Sequence, residues 1–236
     1  MSFRRRLAAT CCVLAGAVWT SGVLHAQGLD WLVLLIDRSR SIDEDELRLQ
    51  RSAYARLLND PAVISALGEA KVAIVEFDSR AEIMVDWAAP REAAELYALQ
   101  DPKGLRRQTA IGNALAAASD LLEGKRGRLV VDVSGDGREN VDPLRLQSMR
   151  AALSARAVEI NGLAILNEQS EDLDRYYSQK VVNGFVLAAE NRADFEVALQ
   201  RKLFYEIAGR VPREALPQRV HLAATSSDAP GPAPER

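Results

Sequence analysis

Histidine and cysteine are nearly absent from this chain of 236 residues, which contains two of each. Both cysteines, Cys11 and Cys12, lie in an apolar segment near the start, and His25 follows at the end of that segment. His221 is therefore the single histidine expected once the segment is removed. These absences exclude disulfides and thiolate chemistry, and they exclude most Ser-His, Cys-His and histidine–metal arrangements.

The first 26 residues have the pattern of an export signal. Arg4–Arg6 form a basic start, Leu7–Leu24 is mostly apolar, and Ala26 is a small residue suited to cleavage. We predict that residues 1–26 are a secretory signal peptide, which implies a periplasmic or secreted protein. An uncleaved membrane anchor is the alternative, because the apolar segment approaches the roughly 20 residues that a span needs.

Charge and hydropathy restrict the partners of the remaining chain. Cleavage would remove three arginines and no acidic residue, so the formal net charge would change from -3 to -6. An acidic domain argues against nucleic acid as a partner, and no later stretch is apolar enough to span a membrane. Residues 210–236 are rich in proline and alanine and predict a flexible tail, which leaves residues 29–209 as the folded domain.

Short apolar runs alternate with amphipathic stretches through that domain. This alternation predicts a doubly wound α/β fold, with a mostly parallel sheet and helices on both faces. The second and third strands are separated by a short polar turn, so we expect one antiparallel edge strand. The predicted strands are 32–36, 72–77, 83–87, 129–133, 160–166 and 185–188, and the predicted helices are 43–58, 91–99, 110–122, 143–155, 171–180 and 193–207.

Oxygen-bearing side chains follow the ends of predicted strands. Asp37, Ser39 and Ser41 alternate directly after the first strand, so all three point the same way. Thr109 precedes a helix, and Asp136 follows the fourth strand. Ligands of open α/β sheets bind outside the carboxyl ends of the strands, where these residues would converge. Hard oxygen ligands suit Mg²⁺, Mn²⁺ or Ca²⁺ rather than zinc or copper.

These residues resemble the metal-ion-dependent adhesion site of von Willebrand factor type A domains. The resemblance covers residues 29–209 and is closest to a group of secreted bacterial proteins of unassigned function. It implies that Asp37, Ser39 and Ser41 are direct ligands, usually of Mg²⁺, and that Thr109 and Asp136 bind directly or through water. The motifs that carry it are Asp37-x-Ser39-x-Ser41, Gln108-Thr109-Ala110-Ile111-Gly112-Asn113-Ala114-Leu115, Asp132-Val133-Ser134-Gly135-Asp136-Gly137, and the closing helix from Asp194-Phe195 to Arg201-Lys202-Leu203.

A purely structural interpretation also exists for Ser41, Thr109 and Asp136. Ser41 and Thr109 are suitable helix caps, and Asp136-Gly137 is a common turn sequence. Asp132 either supports the metal ligands from behind or is a buried acid with a local partner. Glu44 and Asp45 either hold a second cation or form an exposed acidic first turn of a helix.

Four arginines lie near the predicted ligands. Arg38 and Arg40 occupy the free positions of the first motif, where they should point away from the metal and help to attract an acidic partner. Arg106 and Arg107 precede Thr109 and either form an anion-attracting rim or are exposed loop charges.

A cation-dependent protein-binding module, not an enzyme, is the function that this sequence favours. Its ligand would be a protein that presents an Asp or Glu carboxylate to the metal. A Mg²⁺-dependent hydrolase is the first alternative, but Ser39 stands where phosphohydrolases of this kind place a second aspartate, and no Walker-type loop is present. A structural module, whose metal only ties loops together, is the second alternative.

Overall fold

A seven-stranded sheet in the order β3-β2-β1-β4-β5-β6-β7 forms the centre of the molecule. The computed structural model describes residues 28–39, 44–100, 108–167, 170–190, 194–209 and 220–222. The strands are β1 (Trp31–Asp37), β2 (Lys71–Phe77), β3 (Ala81–Ala88), β4 (Leu129–Gly135), β5 (Glu159–Ile165), β6 (Phe185–Ala189) and β7 (Val220–Leu222).

Seven helices accompany the sheet within the described residues. They are α1 (Glu44–Asn59), α2 (Pro61–Leu67), α3 (Pro90–Ala98), α4 (Ile111–Leu121), α5 (Pro143–Ala155), α6 (Leu173–Tyr176), which continues as a π-helical turn (Tyr177–Val181), and α7 (Phe195–Ala208). None of the described helices has the length and apolar character that crossing a membrane requires.

The predicted α/β architecture is confirmed. Strands β1, β2, β4, β5 and β6 pair in parallel, and β3 runs antiparallel to β2 at one edge. Parallel strands need a crossover connection, and helices supply it here, so both faces of the sheet are covered.

The structure adds two elements that the sequence did not predict. Asp60 caps α2 by accepting hydrogen bonds from the backbone N–H groups of Ala62 and Val63, and Pro61 begins this helix as well as following α1. Strand β7 pairs antiparallel with β6, so the sheet has a second antiparallel edge. The prediction of a flexible tail from residue 210 is therefore wrong for residues 220–222. Residues 1–27 lie outside the described part, and the signal peptide stays a prediction.

Alternate side chains of β1 enter two separate hydrophobic cores. Leu32, Leu34 and Ile36 pack with residues of α1, α2, α3 and α7. Val33 and Leu35 pack on the opposite face with residues of α4, α5 and the π-helical turn. Because helices cover both faces of β1, the strand consists of apolar residues until its last position. The first carboxylate of the chain's candidate site, Asp37, is the last residue of this strand.

A buried ion-pair cluster fixes α1 and α3 against β2. Glu76 is fully buried, and its two carboxylate oxygens each accept a 2.6 Å hydrogen bond from the Arg51 guanidinium. The Tyr97 hydroxyl donates to the same carboxylate at 2.7 Å. A buried carboxylate with this many charge-assisted donors is well compensated, whereas the same carboxylate without its arginine would be strongly destabilising.

We expect Arg51→Ala to lower the free energy of unfolding by about 3–5 kcal/mol. Among the described residues, the variant leaves the buried Glu76 carboxylate with only the more distant Arg38 guanidinium, 3.5 Å away, as its cation. The matched control is Arg56→Ala on the same helix, whose exposed partner is Glu196. Surface pairs of that kind contribute about 0–1 kcal/mol. Urea unfolding followed by circular dichroism measures both variants. Equal losses for the two would contradict this account of the cluster.

Candidate metal centre

Asp37 lies at the carboxyl end of β1 and is fully buried. Its Oδ1 accepts a 2.8 Å hydrogen bond from the backbone N–H of Ser39, which folds the following loop back over the carboxylate. Its Oδ2 is buried and has no hydrogen-bond partner among the described residues. A buried carboxylate oxygen is almost always satisfied in a folded protein, so this atom needs a partner that the polypeptide described here does not supply.

Two hydroxyl groups stand beside that carboxylate. The Thr109 hydroxyl donates a 3.0 Å hydrogen bond to the Ser39 hydroxyl, and both residues are buried. Thr109 is held in place by Asn140, which accepts from the Thr109 N–H at 2.9 Å and donates its own N–H to the Thr109 carbonyl at 3.0 Å. The loop before α4 and the loop after β4 are therefore joined at this point.

Two glycines allow the loop after β4 to approach Asp37 and Thr109 closely. A Cβ atom on Gly135 would lie 2.7 Å from the Asp37 Cβ and 2.9 Å from the Tyr177 hydroxyl. A Cβ atom on Gly137 would lie 2.6 Å from the Thr109 Oγ1 and 3.4 Å from the Asp37 Oδ2. Asp136 stands between these glycines and is buried. The structure thus brings together Asp37, Ser39, Thr109 and Asp136, which are four of the five predicted site residues.

The electrostatics of this pocket favour a positive charge. Burial raises the pKa of Asp37 to about 8, and the negative charge of Asp136 adds to the increase, although two hydrogen bonds from Ser39 oppose it. Burial also raises the pKa of Tyr177, and the charges of Asp37 and Asp136 increase it further. The Tyr177 hydroxyl donates a 3.3 Å hydrogen bond to the Gly137 carbonyl. A cation near the two carboxylates would reverse the unfavourable effect of their mutual repulsion.

The donor set fits a hard divalent cation. It consists of two carboxylates and two hydroxyls, with no nitrogen or sulfur, which is the chemistry that Mg²⁺, Mn²⁺ and Ca²⁺ prefer. In the described part of the chain, no three His, Cys, Asp or Glu side chains gather as a metal cluster. A cation here would therefore depend on hydroxyl oxygens as well as on carboxylates. Ser41, the fifth predicted ligand, lies outside the described residues, and the role of all five residues as ligands stays a prediction.

The expectation that Arg38 attracts an acidic partner is wrong. Its side chain is buried and lies 3.3 Å from Asp78 and 3.0 Å from Glu82, with Glu76 at 3.5 Å. This arginine is therefore used inside the domain, where it compensates the acids of β2 and β3. Arg40, Arg106, Arg107 and the side chains of Glu44 and Asp45 lie outside the described part of the molecule.

Asp132 has the local partner that one of the two sequence interpretations required. It is buried on β4 and lies 2.7 Å from the Lys202 ammonium on α7. Sequence reasoning missed Asn140 and Tyr177, both of which contact the loops of the site. Asn140 lies four residues after Asp136, but Tyr177 comes from a distant π-helical turn, and no local pattern identifies it.

The comparisons with known proteins agree with the fold described above. A family model described as protein of unknown function, DUF1194, matches residues 30–211. A search of curated protein sequences found no match. Among solved structures, this chain is similar to a von Willebrand factor type A (vWA) protein from Catenulispora acidiphila. The two are 15% identical with a TM-score of 0.58, and the match covers 76% of this chain and 43% of that one.

Two further solved structures, a matrix protein and a pilus adhesin, share the fold. Proximal thread matrix protein 1 from the mussel byssus, with a zinc-occupied MIDAS motif, has 17% identity and a TM-score of 0.56, covering 83% of this chain and 48% of that one. The pilus adhesin SpaC from Lactobacillus rhamnosus GG, in its open conformation, has 14% identity and a TM-score of 0.62, covering 76% and 30%. This chain therefore spans less than half the length of each of these three solved chains. The likeness establishes the vWA fold.

We expect Gly135→Ala to disturb the site, because the added methyl group would overlap Asp37 and the Tyr177 hydroxyl. The free energy of unfolding should fall by about 1–3 kcal/mol, as overpacking of a well-packed interior usually costs. Gly28→Ala is the control, since a Cβ there meets no atom within 4 Å. Chemical denaturation of both variants provides the comparison, and an unchanged Gly135→Ala protein would mean that the loop lies farther from Asp37.

Proposed function

Because the chain belongs to the family described as protein of unknown function, DUF1194, we propose its function from the site itself: it is a divalent-cation-dependent protein-binding module. Asp37, Ser39, Thr109 and Asp136, together with Ser41, would hold the cation. Mg²⁺ is the proposed ion, with Mn²⁺ and Ca²⁺ as alternatives. The export signal predicted for residues 1–26 would place this module in the periplasm or outside the cell.

One observation carries this proposal. The Asp37 Oδ2 is buried without a hydrogen-bond partner in the described structure. A Cβ atom on Gly137 would lie 3.4 Å from this oxygen and 2.6 Å from the Thr109 Oγ1, so both oxygens border the same small space. An oxygen-coordinating cation would satisfy both atoms at once and would compensate the charge of Asp136.

The ligand chemistry follows from the small number of carboxylates. Two carboxylates would balance the charge of a divalent cation without making the site negative. Because the remaining ligands are neutral hydroxyls, some coordination positions would stay open to solvent or to a partner. The metal, when bound, supplies an electrophilic site for an Asp or Glu carboxylate of a protein ligand. The chain's own residues position that site, and the two glycines keep its floor free of side chains.

Zinc at the MIDAS motif of the mussel byssus protein supports the cation, since that protein shares this fold. The adhesin among the similar structures supports a binding role over catalysis. A hydrolase remains the weaker alternative, because Ser39 occupies the position where a second aspartate would act as general acid. The site also has no histidine or cysteine base among its described residues.

Cation binding to the full chain tests the proposal directly. We expect calorimetric titration with Mg²⁺, Mn²⁺ and Ca²⁺ to detect one site, and we expect Asp37→Ala and Asp136→Ala to abolish it. At a cation concentration of 100 times Kd, the unfolding free energy should rise by about 2.7 kcal/mol. Asp120→Ala, at the exposed end of α4, is the matched control and should bind normally. Absence of binding to the unmodified chain would refute the proposal.

Partner capture tests the second half of the proposal. Immobilised chain should retain a protein ligand in Mg²⁺ and release it in EDTA, and Asp136→Ala should retain none. Asp120→Ala should behave like the unmodified chain. Retention that is unchanged without metal would favour the structural alternative, and hydrolysis of a phosphate ester that depends on Asp37 would favour the hydrolase.

A further inference from the structure

A second charged cluster is buried between β4 and α7, away from the candidate ligands. Lys202 and Glu206 are fully buried on α7, and Asp132 on β4 is 1% exposed. The Lys202 Nζ lies 2.7 Å from the Asp132 Oδ1 and 2.6 Å from the Glu206 Oε1. A single amine therefore contacts two carboxylates in an interior that excludes water.

This cluster is not balanced as an ordinary ion pair. Two carboxylates face one ammonium, and one oxygen of each carboxylate, the Asp132 Oδ2 and the Glu206 Oε2, is buried without a hydrogen-bond partner in the described structure. Uncompensated buried charge is costly. Burial raises the pKa of Glu206 to about 8, although Lys202 opposes the change, and this increase favours the protonated form of the side chain.

A chain of two hydroxyl groups ends at the Asp132 Oδ1, the same oxygen that the Lys202 amine contacts. The Ser134 hydroxyl donates to the Asp132 Oδ1 at 3.2 Å, and the Tyr54 hydroxyl donates to the Ser134 hydroxyl at 2.6 Å. This chain of donors would polarise the carbonyl group of a protonated Asp132 and would stabilise negative charge that develops on its oxygen. The Asp132 Oδ1 thus has both an amine and a hydroxyl donor within hydrogen-bond distance.

We propose that Lys202 and Asp132 condense into an intramolecular isopeptide bond, with Glu206 as the catalytic proton carrier. The proposal is independent of the cation site, since none of these three residues belongs to it. It identifies β4 and α7 as the two elements that the bond would join.

The reaction balances without any added reagent. The Lys202 ammonium first passes a proton to the Asp132 carboxylate, which gives a neutral amine and a carboxylic acid. The amine nitrogen then forms a bond to the Asp132 Cγ, while Glu206 takes a proton from that nitrogen and gives its own proton to the departing hydroxyl. The Cγ–O bond breaks, one water leaves, and Glu206 is regenerated in its protonated form.

Burial and proximity make this condensation feasible. The nitrogen is already in contact with the carboxylate, and well-oriented intramolecular partners reach effective molarities of about 10⁵–10⁸ M. Exclusion of water opposes the reverse hydrolysis. Against the effect of burial, the charges of Asp132 and Glu206 raise the pKa of Lys202, so its proton must pass to Asp132 before the bond can form. The product would replace two of the buried charges with a neutral amide, and it would tie the closing helix covalently to the centre of the sheet.

Intact-mass spectrometry of the purified full chain tests the bond without any variant. The chain should be lighter than its sequence mass by one water, and trypsin should yield a branched peptide in which 129–138 is joined to 202–210 through Lys202. A full sequence mass together with normal cleavage after Lys202 would overturn the proposal. Loss of water confined to 129–138 would also overturn it, because that result indicates a succinimide at Asp136-Gly137.

Two conservative variants separate the chemistry from a structural role. Glu206→Gln retains the shape of the side chain but cannot carry the proton, so the full sequence mass should return while circular dichroism stays unchanged. Asp132→Asn should form the same amide with loss of one ammonia from its own sequence mass. Efficient loss of water by a folded Glu206→Gln chain would refute the assigned role of Glu206.

Discussion

The parallel pairing of β1 with β4 is the constraint on which the candidate site depends. In this register Ile36 lies opposite Ser134, so the two strands end at the same level of the sheet. A carboxylate then stands at each strand end, because Asp37 is the last residue of β1 and Asp136 directly follows β4. Gly135 and Gly137 let the end of β4 and the loop after it approach Asp37 and Thr109 closely, which brings the two acids into one pocket.

Buried carboxylates on the three central strands are treated differently by the fold. Glu76 on β2 has the Arg51 guanidinium, and Asp132 on β4 has the Lys202 amine, so each is served by a cation from a helix. Asp37 on β1 has no such partner among the described residues, and its pKa rises to about 8 as a result of burial and the proximity of Asp136. Among these three carboxylates of the described residues, only the one at the proposed cation site has no basic side chain beside it.

The same charges explain why some sequence-based expectations failed. Arg38 stands in the first motif as if it were free to meet an acidic partner, yet the acids of β2 and β3 surround it, because the sheet brings them within 3.0–3.5 Å. Asp132 was left with two interpretations, and only the position of α7 distinguishes them. Strand β7 escaped prediction because three residues in a segment rich in proline and alanine give no periodic signal.

Local patterns determined most elements of this protein, with α2 and β7 as the exceptions, and they identified its candidate ligands. Alternating apolar runs marked every strand from β1 to β6, and the spacing of Asp37 and Ser39 placed both at a strand end. Tertiary structure decided what these residues do together, because contact between Asp37, Thr109 and the loop of Asp136 requires three segments far apart in the chain. Tertiary structure also decided which buried carboxylates pair with a basic side chain of the same domain. In the pairs on β2 and β4 the two members are far apart in the sequence, so their spacing along the chain does not predict the contact.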